Sequence, residues 1–374
     1  MRVLLVTNDF PPDVGGIQRF ATELACRLPG AAVLAPAHPR AAVHDRSLPV
    51  PVRRAPVRYL LPEPRAAREM RAAVSWHEAE AVLLLSPVPL ALLGRAVDVP
   101  WGVVAHGAEI EIPGRAPVLG ARVRAALRSA DTVFAVSEWT RSRIARLLGP
   151  DTPPIELLRN GVDLDRFTPD ADGAGVRRRL GLGWAPVVTS VGRLVPRKGQ
   201  DRLIDAWPGV RAIAPGARLL LVGDGRLRER LERRARALPA GSVVFTGPVP
   251  GEQLAALHAA ADVFAHPNRT RWAGLEQEGF GIVFLEAQAC GVPAVVGASG
   301  GAPESVIDGE TGLVVDGDDP DAIAEAVGGL LADRERARAM GAAGRRMVEE
   351  RFSWERIVTG LEADLRALAA RSPR

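Results

Sequence analysis

The chain opens on an apolar run, Val3-Leu4-Leu5-Val6, and then changes to helical spacing over 16–28 (GIQRFATELACRL). A short apolar run bounded by turn residues reads as a strand covered on both faces. A 3.6-residue spacing reads as a helix packed against it. Apolar runs recur at 31–35, 81–85, 101–105 and 132–136, with helical spacing between several of them, notably at 118–129 and 138–148. Parallel strands need crossover connections, so this alternation predicts an α/β fold on a doubly wound parallel sheet. The pattern then breaks and restarts. Asn160-Gly161-Val162-Asp163 is a turn signal, and a Pro-, Asp- and Gly-rich stretch follows near 168–175. Beyond it, strands are predicted at 187–191, 218–222, 242–245, 262–265 and 293–296, with a helix near 199–213. The expectation is two Rossmann-like domains, 1–163 and 164–352. The last stretch, 353–370, reads as a helix with Ser353 at its start. In a two-lobed enzyme that helix would cross back to the first lobe, so 353–374 is assigned there.

Composition adds limits to this picture. A chain of 374 residues suits two domains better than one, and 47% hydrophobic with 25% charged residues suits a soluble enzyme. Cys26 and Cys290 form no CxxC pair, which argues against a disulfide framework or a structural zinc. No apolar run reaches the roughly 18 residues of a membrane span. The first strand starts at once, without the pattern of a signal peptide. A cytoplasmic location is therefore expected.

The charge is unusual in kind. Of 48 Lys and Arg residues, Lys198 is the one lysine. A codon bias toward Arg, Ala, Gly and Pro explains the arginines. It also makes the surviving lysine informative, because lysine is a compact point charge where arginine is a broad planar fork. The charge is uneven too. Residues 1–163 hold 20 Arg against 16 Asp and Glu, a formal +4, while the remainder holds 28 against 28. Within 38–75 there are eight arginines and three acids, around the apolar Tyr59-Leu60-Leu61. That stretch is a candidate surface for an anionic partner.

Four motifs follow predicted strands, where open parallel sheets bind ligands. Asp13-Val14-Gly15-Gly16-Ile17 lies between the first strand and its helix. Glycine there lets the backbone approach a ligand, and the helix start offers N–H groups to an anion. It is not G-x-G-x-x-G, so a dinucleotide fingerprint is absent. Ala105-His106-Gly107-Ala108-Glu109 closes the strand at 101–105. Val191-Gly192-Arg193-Leu194-Val195-Pro196-Arg197-Lys198-Gly199 follows a strand and opens a helix. Arg193 can fork onto two phosphate oxygens and Lys198 adds a compact charge, a pair suited to a departing diphosphate. The fourth runs from Glu278-Gly279-Phe280-Gly281-Ile282 to Val283-Phe284-Leu285-Glu286. Glu278 is expected in the loop before a helix and Glu286 within it, amid an apolar run.

In this order and on these elements, the motifs resemble retaining glycosyltransferases of family four. The fourth looks like that family's E-x7-E motif, followed by Ala289-Cys290-Gly291-Val292-Pro293. The resemblance covers nearly the whole chain. It implies a GT-B fold, with two Rossmann-like domains facing across a cleft. The stretches Thr7–Pro12, Val191–Gln200 and Glu278–Pro303 are similar to those of actinobacterial mannosyltransferases that use GDP-mannose to extend phosphatidyl-myo-inositol monomannoside through an alpha-1,6 linkage.

By that resemblance, Gly15 and Gly16 would approach the donor diphosphate from the first lobe, and Arg193 and Lys198 would bind it from the second. Glu278 would meet the sugar hydroxyls and Glu286 the ribose. The amides of Gly279, Phe280, Gly281 and Ile282 would meet the distal phosphate. His106 would lie beside the transferred sugar, and Phe245, Thr246 and Gly247 near the base. The family needs no metal or other cofactor. Asp163-Leu164-Asp165 has the spacing of a metal-binding D-x-D but falls in the interdomain turn and reads as structural. The expected partners are a nucleotide sugar and a lipid-linked acceptor at an anionic membrane surface, reached from the cytoplasmic side; no nucleic acid is expected, and oligomeric state stays open. Other readings are a UDP-sugar transferase with a soluble acceptor, a sugar-nucleotide epimerase, a phosphorylase and a non-catalytic carbohydrate binder. A phosphorylase needs a pyridoxal-phosphate lysine, and the one lysine is already committed.

Overall fold

The computed structural model describes residues 1–13, 15–107, 117–150 and 152–370. They form two compact units, Met1–Gly161 together with the chain from Trp354, and Val162–Ser353. The predicted boundaries shift by one or two residues for a local reason. Val162 forms a parallel bridge with Ser353, and its N–H donates to the Phe352 carbonyl at 2.8 Å. Gly161 instead lies under Trp354, where an added Cβ would stand 2.4 Å from the indole.

The first unit holds seven parallel strands: β1 (Val3–Val6), β2 (Ala31–Pro36), β3 (Val52–Ala55), β4 (Ala81–Leu84), β5 (Trp101–Ala105), β6 (Thr132–Ala135) and β7 (Ile155–Leu157). Their spatial order is β3-β2-β1-β4-β5-β6-β7. Val3 faces Ala31 on one side and Ala81 on the other. The chain moves outward from β1 to β3, then returns to β4 and moves outward the other way. Such a reversal parts the loops at the carboxyl edge and leaves a crevice there. The central strands are wholly buried, which explains their unbroken apolar sequences. Helix Gly16–Arg27 buries Phe20, Ala21, Leu24 and Ala25 on one stripe. Helix Trp354–Ala369 packs beside it and buries Trp354, Val358, Leu361, Leu365 and Leu368.

In this unit the edge strands β3 and β7 escape the sequence pattern. β3 is Val-Arg-Arg-Ala, inside the arginine-rich stretch that reads as a binding surface. Arg54 is committed to the fold. Its Nε and Nη2 hold the two oxygens of Asp45 at 2.9 and 2.7 Å, and Nη2 also donates to the Pro11 carbonyl at 2.6 Å. Arg53 pairs with Glu69 at 3.5 Å. Leu60 is fully buried, while Tyr59, Leu61 and Val43 are exposed. The stretch is thus part scaffold and part surface.

The second unit repeats the plan with β8 (Val187–Val191), β9 (Arg218–Val222), β10 (Val243–Gly247), β11 (Val263–His266), β12 (Ala294–Gly297) and β13 (Gly312–Val315). All pair in parallel in the order β10-β9-β8-β11-β12-β13. The reversal here falls between β8 and β11. The helix expected over 199–213 is two, Gln200–Asp205 and Trp207–Ile213. Pro208 has no N–H to give to the preceding turn, so the helix restarts there. The Asp163 carboxylate accepts from the Arg166 N–H at 3.1 Å, which supports its reading as a turn former. Among the described residues, no helix is long and apolar enough to cross a membrane.

Candidate donor site at the β8–β11 crevice

The loop after β8 ends in a short 3-10 turn, Pro196–Lys198, before helix Gln200–Asp205. Gly199 joins the two with φ at 76°, and a Cβ there would meet the Pro267 carbonyl oxygen at 2.0 Å. Only glycine meets both demands, so this loop is pinned to the residue that follows β11. The turn directs Lys198 inward, leaving its side chain 10% exposed. Lys198 Nζ lies 3.0 Å from Glu278 Oε2. The same oxygen accepts from Asn268 Nδ2 at 3.1 Å and pairs with Arg197 Nη1.

Glu278 sits in the loop before helix Ile282–Ala289, as its spacing predicts. Its carbonyl accepts the Gly301 N–H at 2.9 Å. Gly300, at φ 59°, lets that turn close on it, since a Cβ would stand 2.0 Å from the same carbonyl oxygen. The backbone of Glu278 is therefore fixed from one side and its carboxylate from the other.

Electrostatics follow from this packing. Burial alone would raise the Glu278 carboxyl, but Lys198 and Arg197 outweigh it and hold the group below the usual carboxylate value. Burial pushes the Lys198 ammonium down, and Glu278 opposes that shift. Arg193 is exposed and makes no ion pair among the described residues, yet its charge is felt by both groups. One carboxylate thus stands among three cations, and the surplus suits an anion with more than one charge.

The crevice also holds residues that the sequence reading did not single out. Asn268 is fully buried two residues past β11. Gln200 Nε2 donates to the Arg193 carbonyl at 3.3 Å and lies 3.5 Å from His266 Nε2. His266 is fully buried at the end of β11. Burial, then the charges of Lys198 and Arg197, hold it well below the ordinary histidine value. The only signal in the sequence was position, at the carboxyl end of a strand.

This neutral histidine carries a stability prediction. A base whose folded pKa is depressed binds its proton more readily in the unfolded chain. Stability of the second unit is therefore expected to fall as pH drops below about 6.5, by up to ~1.4 kcal/mol per unit. Thermal melts between pH 7 and 5 should show this slope, and His266→Gln should flatten it. An unchanged slope in the variant refutes the assignment.

Other expected residues fall in different surroundings. Phe280 is 2% exposed and packs on Phe352 at 5.6 Å, so only its backbone remains for a phosphate. Glu286, the residue expected at the ribose, lies within helix Ile282–Ala289. It is 1% exposed, and its Oε2 lies 3.5 Å from the buried His258 Nε2, because the helix turns it into the unit's interior. Phe245 lies under the Arg228 guanidinium at 4.9 Å, while Thr246 and Gly247 end β10. In the first unit, Gly16 starts its helix and a Cβ there would meet nothing within 4 Å. Gly15 precedes it in extended backbone. His106 Nε2 donates to the Leu85 carbonyl at 3.1 Å, and its ring stands edge-on to Phe20 at 5.4 Å. Val14, Ala108 and Glu109 lie outside the described residues.

Comparison with known proteins places this architecture. A family model described as Glycosyltransferase Family 4 matches residues 14–166, and one described as Glycosyl transferases group 1 matches residues 178–347. The GDP-mannose-dependent alpha-(1-6)-phosphatidylinositol monomannoside mannosyltransferase of Mycolicibacterium smegmatis is 48% identical over 94% of this chain and 95% of its own. The protein of the same description from Mycobacterium tuberculosis is 45% identical over 98% of each chain. The crystal structure of Anabaena HepE with UDP and glucose superposes with a TM-score of 0.81 at 23% identity, covering 98% of this chain and 99% of that one. The paired parallel sheets, the two family matches and this length of shared sequence lead to one conclusion: the chain belongs to the family-four glycosyltransferases and has the GT-B fold.

Proposed function

We propose that this enzyme transfers mannose from GDP-mannose to a phosphatidyl-myo-inositol mannoside, forming an alpha-1,6 linkage with retention at the anomeric carbon. The observation that carries the reading is the buried Lys198–Glu278 pair beside the exposed Arg193. Arg193 and Lys198 neutralise the diphosphate as it gains charge on leaving, without a metal or other cofactor. Glu278 accepts hydrogen bonds from the sugar hydroxyls, and the backbone around Gly279–Ile282 meets the distal phosphate at the helix start. The base lies by the end of β10 near Thr246 and Gly247. The acceptor hydroxyl attacks from the face that the phosphate leaves, and the departing phosphate takes its proton. Catalysis then rests on positioning and charge stabilisation.

Donor and acceptor are supported by the descriptions of relatives that share nearly the whole length of the chain. Peripheral docking on the inner face of the membrane is supported by the exposed Tyr59, Leu61 and Val43 among arginines of the first unit. The test is a matrix of GDP-mannose, UDP-glucose and UDP-N-acetylglucosamine against phosphatidylinositol mannosides and soluble sugars. Transfer confined to GDP-mannose and the lipid acceptor is expected. Transfer only from a UDP-sugar, or only to a soluble sugar, overturns the proposal. Binding to vesicles with anionic lipid should weaken as salt rises, whereas equal binding to neutral vesicles removes the docking surface.

A further inference from the structure

Three donors converge on a single oxygen, Glu278 Oε2: Lys198 Nζ, Asn268 Nδ2 and Arg197 Nη1. The other oxygen takes no hydrogen bond among the described residues. The three cations of this segment differ in their commitments. Arg193 is exposed and unpaired among the described residues. The one ion pair of Lys198 among the described residues is with Glu278. Arg197 is anchored twice, through its side chain to Glu278 and through its carbonyl to the Arg269 N–H at 3.0 Å. Arg269 is held in turn by Asp201 at 2.8 Å. Arg197 therefore belongs to a braced, protein-facing network.

We propose that Arg197 is a positioning residue: it keeps the Glu278 carboxylate oriented when the donor diphosphate draws Lys198 away. The inference rests on the donor-site reading above. Were Lys198 the sole cation on Glu278, donor and carboxylate would compete for it. Diphosphate binding would then leave a buried carboxylate unpaired beside new negative charge. Such a group takes up a proton and ceases to be a pure acceptor. With Arg197 and Asn268 still on Oε2, Glu278 stays ionised and offers Oε1 to a sugar hydroxyl. Lys198 is shared, Arg193 serves the ligand and Arg197 serves the carboxylate.

The charged and titratable groups around Glu278 are Arg197 and Lys198 on the 3-10 turn and Arg193 on the loop after β8. His266 stands behind the two cations at the end of β11. Among these, Arg197 is the one whose loss strips Glu278 of a cation without taking one from the diphosphate.

The test compares wild type, Arg197→Met and Arg197→Lys. Arg197→Met should bind GDP within about threefold of wild type while kcat falls roughly 10–100-fold, the scale of a misplaced group. Its acid limb of kcat, which reports the donor complex, should move up by about one pH unit or more as Glu278 loses a cation. Arg197→Lys should restore most of both effects, and it keeps the test open if the methionine variant fails to fold. An unmoved acid limb overturns the proposal. So does a loss of GDP affinity as large as that of Lys198→Ala, since Arg197 would then be a diphosphate ligand. These readouts need only a donor that the wild type turns over. Failure of mannosyl transfer by wild type would count against the assigned function and leave the Arg197 comparison to be made with the active donor.

Discussion

Lys198→Ala is expected to lower turnover at saturating donor about 10²–10³-fold, or ~3–4 kcal/mol, the usual cost of removing one charge-stabilising donor. The fold should survive the change. Glu278 keeps Arg197 and Asn268, so no buried carboxylate is stranded. Removal also ends the cost of burying the ammonium. The loss should fall on kcat more than on binding of the intact donor, because charge on the diphosphate grows as the sugar departs. Lys198→Arg should recover little. The site admits a side chain only 10% exposed with its ammonium 3.0 Å from Glu278, and a planar fork is wider than an ammonium. Steady-state kinetics with a thermal melt as control settle the matter. Near-wild-type turnover by a folded Lys198→Ala would falsify the leaving-group role.

The largest expected effect on stability lies at Trp354. The indole is 1% exposed, 5.9 Å from the Phe20 ring and capped by the Arg27 guanidinium at 5.9 Å. It also fills the space over Gly161. Truncation leaves a void that this packing closes only in part. Trp354→Ala should therefore cost the first unit about 3–5 kcal/mol. A domain's whole margin is of order 5–15 kcal/mol, so the variant should sit near the limit of folding. Trp354→Phe should lose much less. Denaturant unfolding followed separately for the two units is the measurement, because a two-unit chain need not melt as one. A first-unit transition that moves by less than ~1 kcal/mol contradicts the packing argument.

The two sites differ in how much of them the sequence discloses. The strands around each crevice were legible because burial on two faces writes an unbroken apolar run, as in β1, β4 and β8. Edge strands β3 and β7 are partly exposed, and Arg53, Arg54 and Glu156 hide them. Lys198 and Glu278 were legible through spacing and through the resemblance. Their direct contact was not, since 80 residues separate them and only the β8–β11 adjacency joins them. Asn268, Gln200 and His266 carry no local pattern at all. Glu286 shows the opposite limit. A motif gave it a place on the helix, but its outlook depends on how that helix packs beside His258.

The helix that begins at Trp354 also imposes an order on biosynthesis. The second unit is one continuous segment and can fold as soon as it leaves the ribosome. The first unit is translated earlier, yet helix Gly16–Arg27 has only its sheet side covered, and lacks its neighbouring helix until the chain reaches Leu368. At 5–20 residues per second, about 10–40 s separate the emergence of its last strand from that of its closing helix. During that interval Phe20 and its neighbours face the cell's water or a chaperone. The half made first is thus completed last, and nascent-chain aggregation should be governed by that uncovered stripe.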